Sequence, residues 1–326
     1  MKHLPFSKSG TFYKGNLHTH STRSDGGIAP EEVISAYRHR GYDFISLTDH
    51  FLPESYFRST ADPASFITIS DTTNLRSDDF TTLPGAEIHG PGMANGEMWH
   101  LVAVGLPLDF PIWTAPETGV DLARRAVEAG AFVGIAHPYW NSLSVDDARQ
   151  VAGFVHSVEV YNHSCAGGID RGDGYYMLDL LSQEGVRLSA NAADDAHFRA
   201  ETPDPLADDA WQFEAFGGWV QVRAASLDPD ALLAALKDGE FYSSTGPEIT
   251  NIEILGDEIL VECSAASRIL VTGNGALSRR VQGNDVKQAT FPVGPFREHG
   301  WMRVTVIDAN GKRAWSNPIW LDDDVA

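Results

Sequence analysis

The chain has 326 residues, 43% of them apolar, enough for one large core or a large core with a small companion, and global disorder is excluded. Its 45 Asp and Glu outnumber 24 Lys and Arg, leaving a formal charge of -21, so extended contact with nucleic acid is not expected. Cys165 and Cys263 are the only cysteines and form no C-x-x-C pair, which excludes a disulfide scaffold and a thiolate zinc cluster.

The opening MKHLPFSKSGTFYKGN has no continuous apolar signal core, and no later run reaches membrane-spanning length. The expectation is a cytoplasmic protein with no membrane contact. From residue 16 to about 225, short apolar runs alternate with helix-like stretches. NLHTH, DFISLTD, FTTLPGAEIH, HLVAVG, AFVGIAHP, HSVEVYN, VRLSANAADDAH and GWVQVRA read as strands or strand ends, and 30–40, 118–129, 144–152 and 173–184 as helices. Pro30 suits a first helical turn, Glu31 and Glu32 favour its positive end, and Gly41 stops the element. Many such alternations favour a β/α barrel over an open sheet, with polar residues gathered at strand ends. After PDALLAALKDG the helix signal fades, and NIEIL, ILVEC, RILVTG, ATFPV, MRVTVID and AWSNPIWL predict a β-rich unit over 248–326, with 1–247 as the α/β unit. The intervals 52–80 and 201–209 read as loops near the active face.

The polar strand ends carry the chemistry. His18 and His20 are two residues apart, so an extended backbone turns both imidazoles to one side. Asp25 follows on a loop and adds a harder oxygen donor. Alone, an H-x-H pair is more often structural than ligating, and the later strand ends change that balance. His50 ends FISLTDH; the adjacent Asp49 diverges from it and reads as loop support. Glu87 follows TLPGA, where a carboxylate can bridge cations. His89 shares the face of Glu87, whereas His100 opens HLVAVGL, and spacing does not decide between those two histidines. His137 ends AFVGIAH at a strand exit constrained by Pro138, with Tyr139, Trp140 and Asn141 as candidate pocket walls. Asp195 and His197 repeat the two-residue spacing, with Asp194 turned away from them.

The segments YKGNLHTHSTRSDGG, LTDH, GAEIHG, HPYWN, VEVYN and DDAH, spread over residues 12–200, together resemble the polymerase and histidinol-phosphatase (PHP) family. YKGNLHTHS and FYSSTGP are similar to its CehA/McbA branch of metallohydrolases. The resemblance implies an α/β fold with a distorted seven-stranded β/α barrel, and the β-rich stretch after it is expected to form a small β-sandwich-like domain. It implies two or three divalent transition metals, Zn, Mn or Fe, at one end of the barrel and no organic cofactor. Carried onto this chain, one cation would use His18, His20, Glu87 and Asp195, a second Asp25, His50 and His197, and a third Glu87, His100 and His137. Asp25 stands where some relatives use histidine.

The implied reaction is hydrolysis by water activated on the cations, with a phosphorylated small molecule as the leading substrate. Hydrolysis of a carboxylic ester, amide or carbamate is the alternative, and a noncatalytic metal-binding module the third reading. His197 is a candidate proton carrier, Arg23, Arg199 and His163 are candidate substrate-binding groups, and Glu159 and Asn162 are candidate supports for the ligands. TGNGALSRR lacks the strand-to-helix setting of a dinucleotide site, and NGK in VIDANGKRAW reads as a turn.

Overall fold

The structure, a computed structural model, describes residues 5–53, 66–199, 211 and 213–321. The predicted loop at 201–209 and residues 54–65 of the interval 52–80 lie outside the described residues.

In chain order the α/β half contains β1 (Thr11–Asn16), α1 (Pro30–His39), β2 (Phe44–Leu47), β3 (His50–Phe51), β4 (Thr81–Gly90), β5 (Trp99–Val104), α2 (Gly119–Glu128), β6 (Phe132–Ile135), α3 (Val145–Ala152), β7 (Ser157–Asn162), α4 (His163–Ile169), α5 (Tyr175–Gln183), β8 (Ser189–Ala193), β9 (Trp219–Ala224), α6 (Pro229–Lys237) and β10 (Phe241–Ser244). The remainder contains β11 (Ile249–Leu255), β12 (Glu258–Gly273), β13 (Ser278–Pro292), α7 (Gly294–Arg297), β14 (Trp301–Ile307), β15 (Arg313–Ser316) and β16 (Ile319–Trp320).

Local chemistry accounts for the helix starts. Pro30 opens α1, the Ala29 N–H donates to Glu32 Oε2 at 2.9 Å, and Val33, Ile34 and Tyr37 face inward. Thr118 and Asp121 form a reciprocal capping box on α2, and the Ser144 hydroxyl caps α3. Helix α4 was not anticipated, because HSCAGGI carries two glycines and little helix propensity. Its start is held by Asn162, whose side-chain oxygen accepts from the Cys165 N–H at 2.9 Å.

The seven strands β1, β2, β4, β5, β6, β7 and β8 are hydrogen-bonded in that order. The β4–β5 and β5–β6 pairs are antiparallel and the others parallel. Beyond the strand ends, Thr19 bridges Ala196, with the His20 N–H donating to the Ala196 carbonyl and the Asp195 N–H to the His18 carbonyl, both at 2.8 Å. The first and last strands of this run therefore meet where the histidines begin.

From β1 the sheet also runs the other way, through antiparallel β9 and β10 to β15, β14, β12 and β11. The hydrogen-bonded sheet thus continues past residue 247. Residues 249–321 nevertheless surround their own apolar cluster, including Ile259, Val261, Val271, Phe296 and Val304. TGNGALSRR forms the turn between β12 and β13, and NGK the turn between β14 and β15, where Asp308 Oδ1 accepts from the Asn310 and Lys312 N–H groups. Among the described residues no helix is long and apolar enough to cross a membrane.

Candidate metal centre

Three strand exits, after β1, β6 and β8, bring much of the cluster together. His18 and His20 follow β1, fully buried, with ring centroids 5.3 Å apart. Asp195 follows β8 with φ of +56°, and its Oδ1 lies 2.9 Å from His20 Nε2 and 3.2 Å from His18 Nε2. His137, after β6, also has positive φ, +21°. Left-handed backbone at two strand exits turns both side chains inward at a local conformational cost. The loop carrying Asp25 is fastened by Gly27, whose N–H donates to the His197 carbonyl at 2.6 Å. A Cβ at Gly27 would stand 2.2 Å from the Phe198 carbonyl oxygen, so only glycine fits.

Glu87 is the hub. Its Oε1 lies 2.7 Å from His100 Nδ1 and 3.1 Å from His137 Nε2, and its Oε2 lies 2.8 Å from His50 Nδ1 and 3.5 Å from His18 Nε2. Asp25 Oδ1 stands 3.3 Å from both His50 Nε2 and His197 Nε2. Donor atoms converge in four groups: His18, His20, Glu87 and Asp195; His20, Asp25, His50 and His197; Glu87, His100 and His137; and His50, Glu87 and His89. Within each group the atoms lie within 4.8 Å of one another. The rings left open by spacing thus both reach Glu87, His100 directly and His89 at 3.5 Å.

Electrostatics and bonding fit a cation cluster. Burial alone would push the Glu87 carboxyl up, but the surrounding imidazoles hold it well below its ordinary range, and Asp195 and Asp25 are lowered in the same way. Burial disfavours charge on His50, yet the Glu87 and Asp25 carboxylates raise it to about 10. Burial and neighbouring imidazoles instead push His20 and His89 down to about 3. The His18 Nε2, Asp25 Oδ1 and His137 Nδ1 atoms are buried without a hydrogen-bond partner. Such atoms are costly to bury unless something else meets them. Neutral imidazole nitrogens mixed with carboxylate oxygens are the donor set divalent Zn, Mn and Fe accept.

Supporting groups surround the donors. Glu159 Oε1 lies 3.0 Å from His18 Nδ1, so an Nδ1–H donated there leaves Nε2 facing Glu87 and Asp195. Its Oε2 accepts from the His137 N–H at 2.8 Å and from Asn162 Nδ2 at 2.9 Å, and Asn162 also donates to Asp195 Oδ2. Asp49 accepts from the Ser21 N–H and from the Ser21 and Ser24 hydroxyls, bracing the Asp25 loop. Asp194 points away from the donors, accepting from Tyr37 and from the N–H groups of Phe216, Gly217 and Gly218.

A cavity of about 410 Å³ opens onto Asp25, His50, Glu87, His100, His137 and His197. Arg199 lines it and is paired with Asp25. Arg23 is exposed and lies outside that lining, because the turn after Ser21 carries its side chain to solvent. His163 opens α4 instead, with Nδ1 2.9 Å from the Tyr161 hydroxyl and its ring against Gly217. Of the predicted walls, Trp140 lines the cavity, whereas Tyr139 faces a neighbouring one and Asn141 is buried near Met93. Cys165, Ile169 and Glu214 also line it, and nothing in their spacing distinguished them from ordinary packing residues.

No protein-family model and no curated protein matches this chain. A solved two-domain protein from Bacteroides vulgatus, containing a predicted PHP-like metal-dependent phosphoesterase, superposes with a TM-score of 0.53. It is 15% identical, over 97% of this chain and 98% of that one. The fold is PHP-like. An amidohydrolase from Chromobacterium violaceum, solved with sulfate and no metal, is 17% identical over 61% of this chain and 94% of that one, with a TM-score of 0.37. On this PHP-like frame the donors come from the ends of β1, β6 and β8, from β3, β4 and β5, and from the Asp25 loop.

Proposed function

We propose that this chain is a metal-dependent hydrolase, with a phosphorylated small molecule as its leading substrate. The observation that carries the reading is Glu87, a fully buried carboxylate met on both oxygens by histidines from separate strands and shared by three of the donor groups. In this reading His18, His20, Glu87 and Asp195 hold one cation, Asp25, His50 and His197 a second, and Glu87, His100 and His137 a third. Divalent cations, when bound, supply an acidified water and charge that stabilises developing negative oxygen. Glu159 holds the His18 ring in place, and Asn162 steadies Asp195. Arg199 presents guanidinium donors at the cavity for a substrate anion, and His197, with Nδ1 2.9 Å from the Asp195 carbonyl, is committed to the second cation rather than to proton transfer. We take residues 1–247 as the hydrolytic unit and 248–326 as its support.

A second reading, hydrolysis of a carboxylic ester, amide or carbamate, is favoured by the charge of the cavity wall. Arg199 is the one Lys or Arg among the described residues lining it, and Asp25 already pairs with it. A phosphate dianion gains little from a cation so committed, whereas an uncharged acyl group needs none. The segments YKGNLHTHS and FYSSTGP, similar to the CehA/McbA branch, lean the same way. The deciding experiment reconstitutes the protein separately with Zn, Mn and Fe and compares turnover on matched phosphomonoester, ester and carbamate panels. Phosphate release with little acyl cleavage is expected; preferential acyl cleavage selects the second reading. Metal uptake without turnover on any panel would leave a binding module and sink the enzyme.

A further inference from the structure

His89 is a buried histidine to which the three proposed cation sets assign nothing. It lies on β4, two residues beyond Glu87 and on the same face. Strand register fixes its neighbours: His50 pairs with Glu87 across β3–β4, and His89 pairs with His100 across β4–β5. Its ring is therefore wedged between His50 and His100, with centroids 4.8 Å and 4.2 Å away. It does not line the cavity, so it is not placed to touch substrate.

The two nitrogens of His50 face different ways. Nε2 looks toward Asp25 Oδ1 at 3.3 Å, on the side of His197, and Nδ1 looks back into β4. A neutral imidazole that gives Nε2 to a cation must carry its proton on Nδ1, and that proton needs an acceptor. Two acceptors are in reach, Glu87 Oε2 at 2.8 Å and His89 Nε2 at 2.9 Å. Glu87 is the poorer choice once each of its oxygens serves a cation, because coordination draws electron density from the lone pair that remains. We infer that His89 is a positioning residue: its Nε2 accepts the Nδ1 proton of His50, which fixes the His50 tautomer, presents Nε2 to the cation shared with Asp25 and His197, and frees Glu87 to bridge. This rests on the metal-centre reading above.

The test compares native protein with His89→Leu, which removes the acceptor, and His89→Gln, which keeps a carbonyl that can accept. Each is loaded with Zn and assayed for bound metal per chain and for the affinity of each site. Native protein and His89→Gln are expected to match. His89→Leu is expected to lose about 10- to 100-fold in affinity at one site only, the range seen when such partners of ligating histidines are removed, and His50→Ala should weaken that same site. Unchanged affinity in His89→Leu overturns the inference, and so does equal loss in the Leu and Gln variants, which would make His89 a ligand or a packing residue. Should His89→Leu not fold, nitrogen-15 spectra of Zn-loaded native protein read the tautomer directly. A proton on His50 Nδ1 coupled to His89 Nε2 supports the inference, and its absence overturns it. Native protein that binds no Zn, Mn or Fe fails the metal-centre reading itself, and His89 then has no such role.

Discussion

Along β12 buried side chains alternate with more exposed ones, Ile259, Val261 and Cys263 turning inward while their neighbours turn out. Along β4 every residue but Pro84 is buried. The first pattern belongs to a sheet with one apolar face, and there a polar residue can always be given to water. The second leaves no such outlet, so Glu87 and His89 must find partners inside the protein. The α/β half therefore spends its interior on groups that destabilise the fold unless they meet one another or a cation. The C-terminal unit fills its interior mainly with apolar side chains, whose burial stabilises the fold.

The largest effect tests the first half of that contrast. Glu87→Gln keeps the size of the side chain but removes the charge that offsets several imidazoles and the second oxygen available for bridging. Loss of at least one cation per chain is expected, with turnover falling by about 10³-fold or more, on the scale of removing a group that stabilises the transition state. Circular dichroism should stay native. Full metal content at normal turnover would show that the buried carboxylate is ordinary structure.

Its counterpart in the other half is Phe296→Ala. Phe296 is fully buried in the C-terminal apolar cluster, and its truncation should cost about 3–4 kcal/mol in chemical unfolding. Cations bound per chain should not change. A fall in metal content at temperatures where the variant remains folded would break the division of labour between the halves.

How legible this was in the sequence follows the same contrast. Alternating segments such as ILVEC and MRVTVID announce strands by period, and helices α1, α2 and α3 carry both an apolar face and a cap, so each was expected close to where it lies. The two-residue spacing of His18 and His20 disclosed rings that the structure brings to one donor group, whereas Asp195 and His197, equally spaced, enter different groups because Asp195 is left-handed. Strand register was not legible. Nothing in GAEIHG and HLVAVGL says that His89 stands opposite His100 or that Glu87 stands opposite His50. Nor did Arg23 betray that its loop, braced by Asp49, sends its side chain to solvent. The unbroken sheet across residue 247 was hidden for a related reason: the β10–β15 pairing joins segments about seventy residues apart, and short-range pattern carries no signal over that distance.

That seam offers a smaller effect. Asn317, beyond β15, accepts from the Ala190 N–H at 2.7 Å and donates to the Gly239 and Phe241 carbonyls at 3.0 Å. Asn317→Ala strands a buried donor on β8 and two carbonyls, for an expected loss of about 2–3 kcal/mol. Because β8 leads into Asp195, metal analysis of the same variant sharpens the comparison. Unchanged affinity keeps the halves independent, and weakened affinity means the C-terminal unit helps to hold the ligand strand in register.

The smallest effect concerns a half-buried charge in the α/β unit outside the metal centre. Lys14 on β1 places Nζ 3.9 Å from the Tyr42 ring centroid and 4.2 Å from that of Trp219. Burial pushes its ammonium down to about 8 from 10.5, with Asp194 and Asp43 opposing the shift. The folded-state value lies below the unfolded one, so between about 8 and 10.5 the unfolded chain still holds a proton that the folded chain has released. Raising the pH through that window therefore favours folding, and the cost of Lys14 is fully present only below it. Two aromatic faces return part of that cost through cation–π attraction. Lys14→Met should accordingly be more stable than native protein at pH 7, and the gap should narrow by pH 10. Urea unfolding of both proteins at the two pH values measures it, with other pH effects cancelling in the difference. A gap that widens with pH contradicts the sign of the shift. Native protein more stable at pH 7 means instead that the ring faces outweigh burial, and that this half carries Lys14 at no cost.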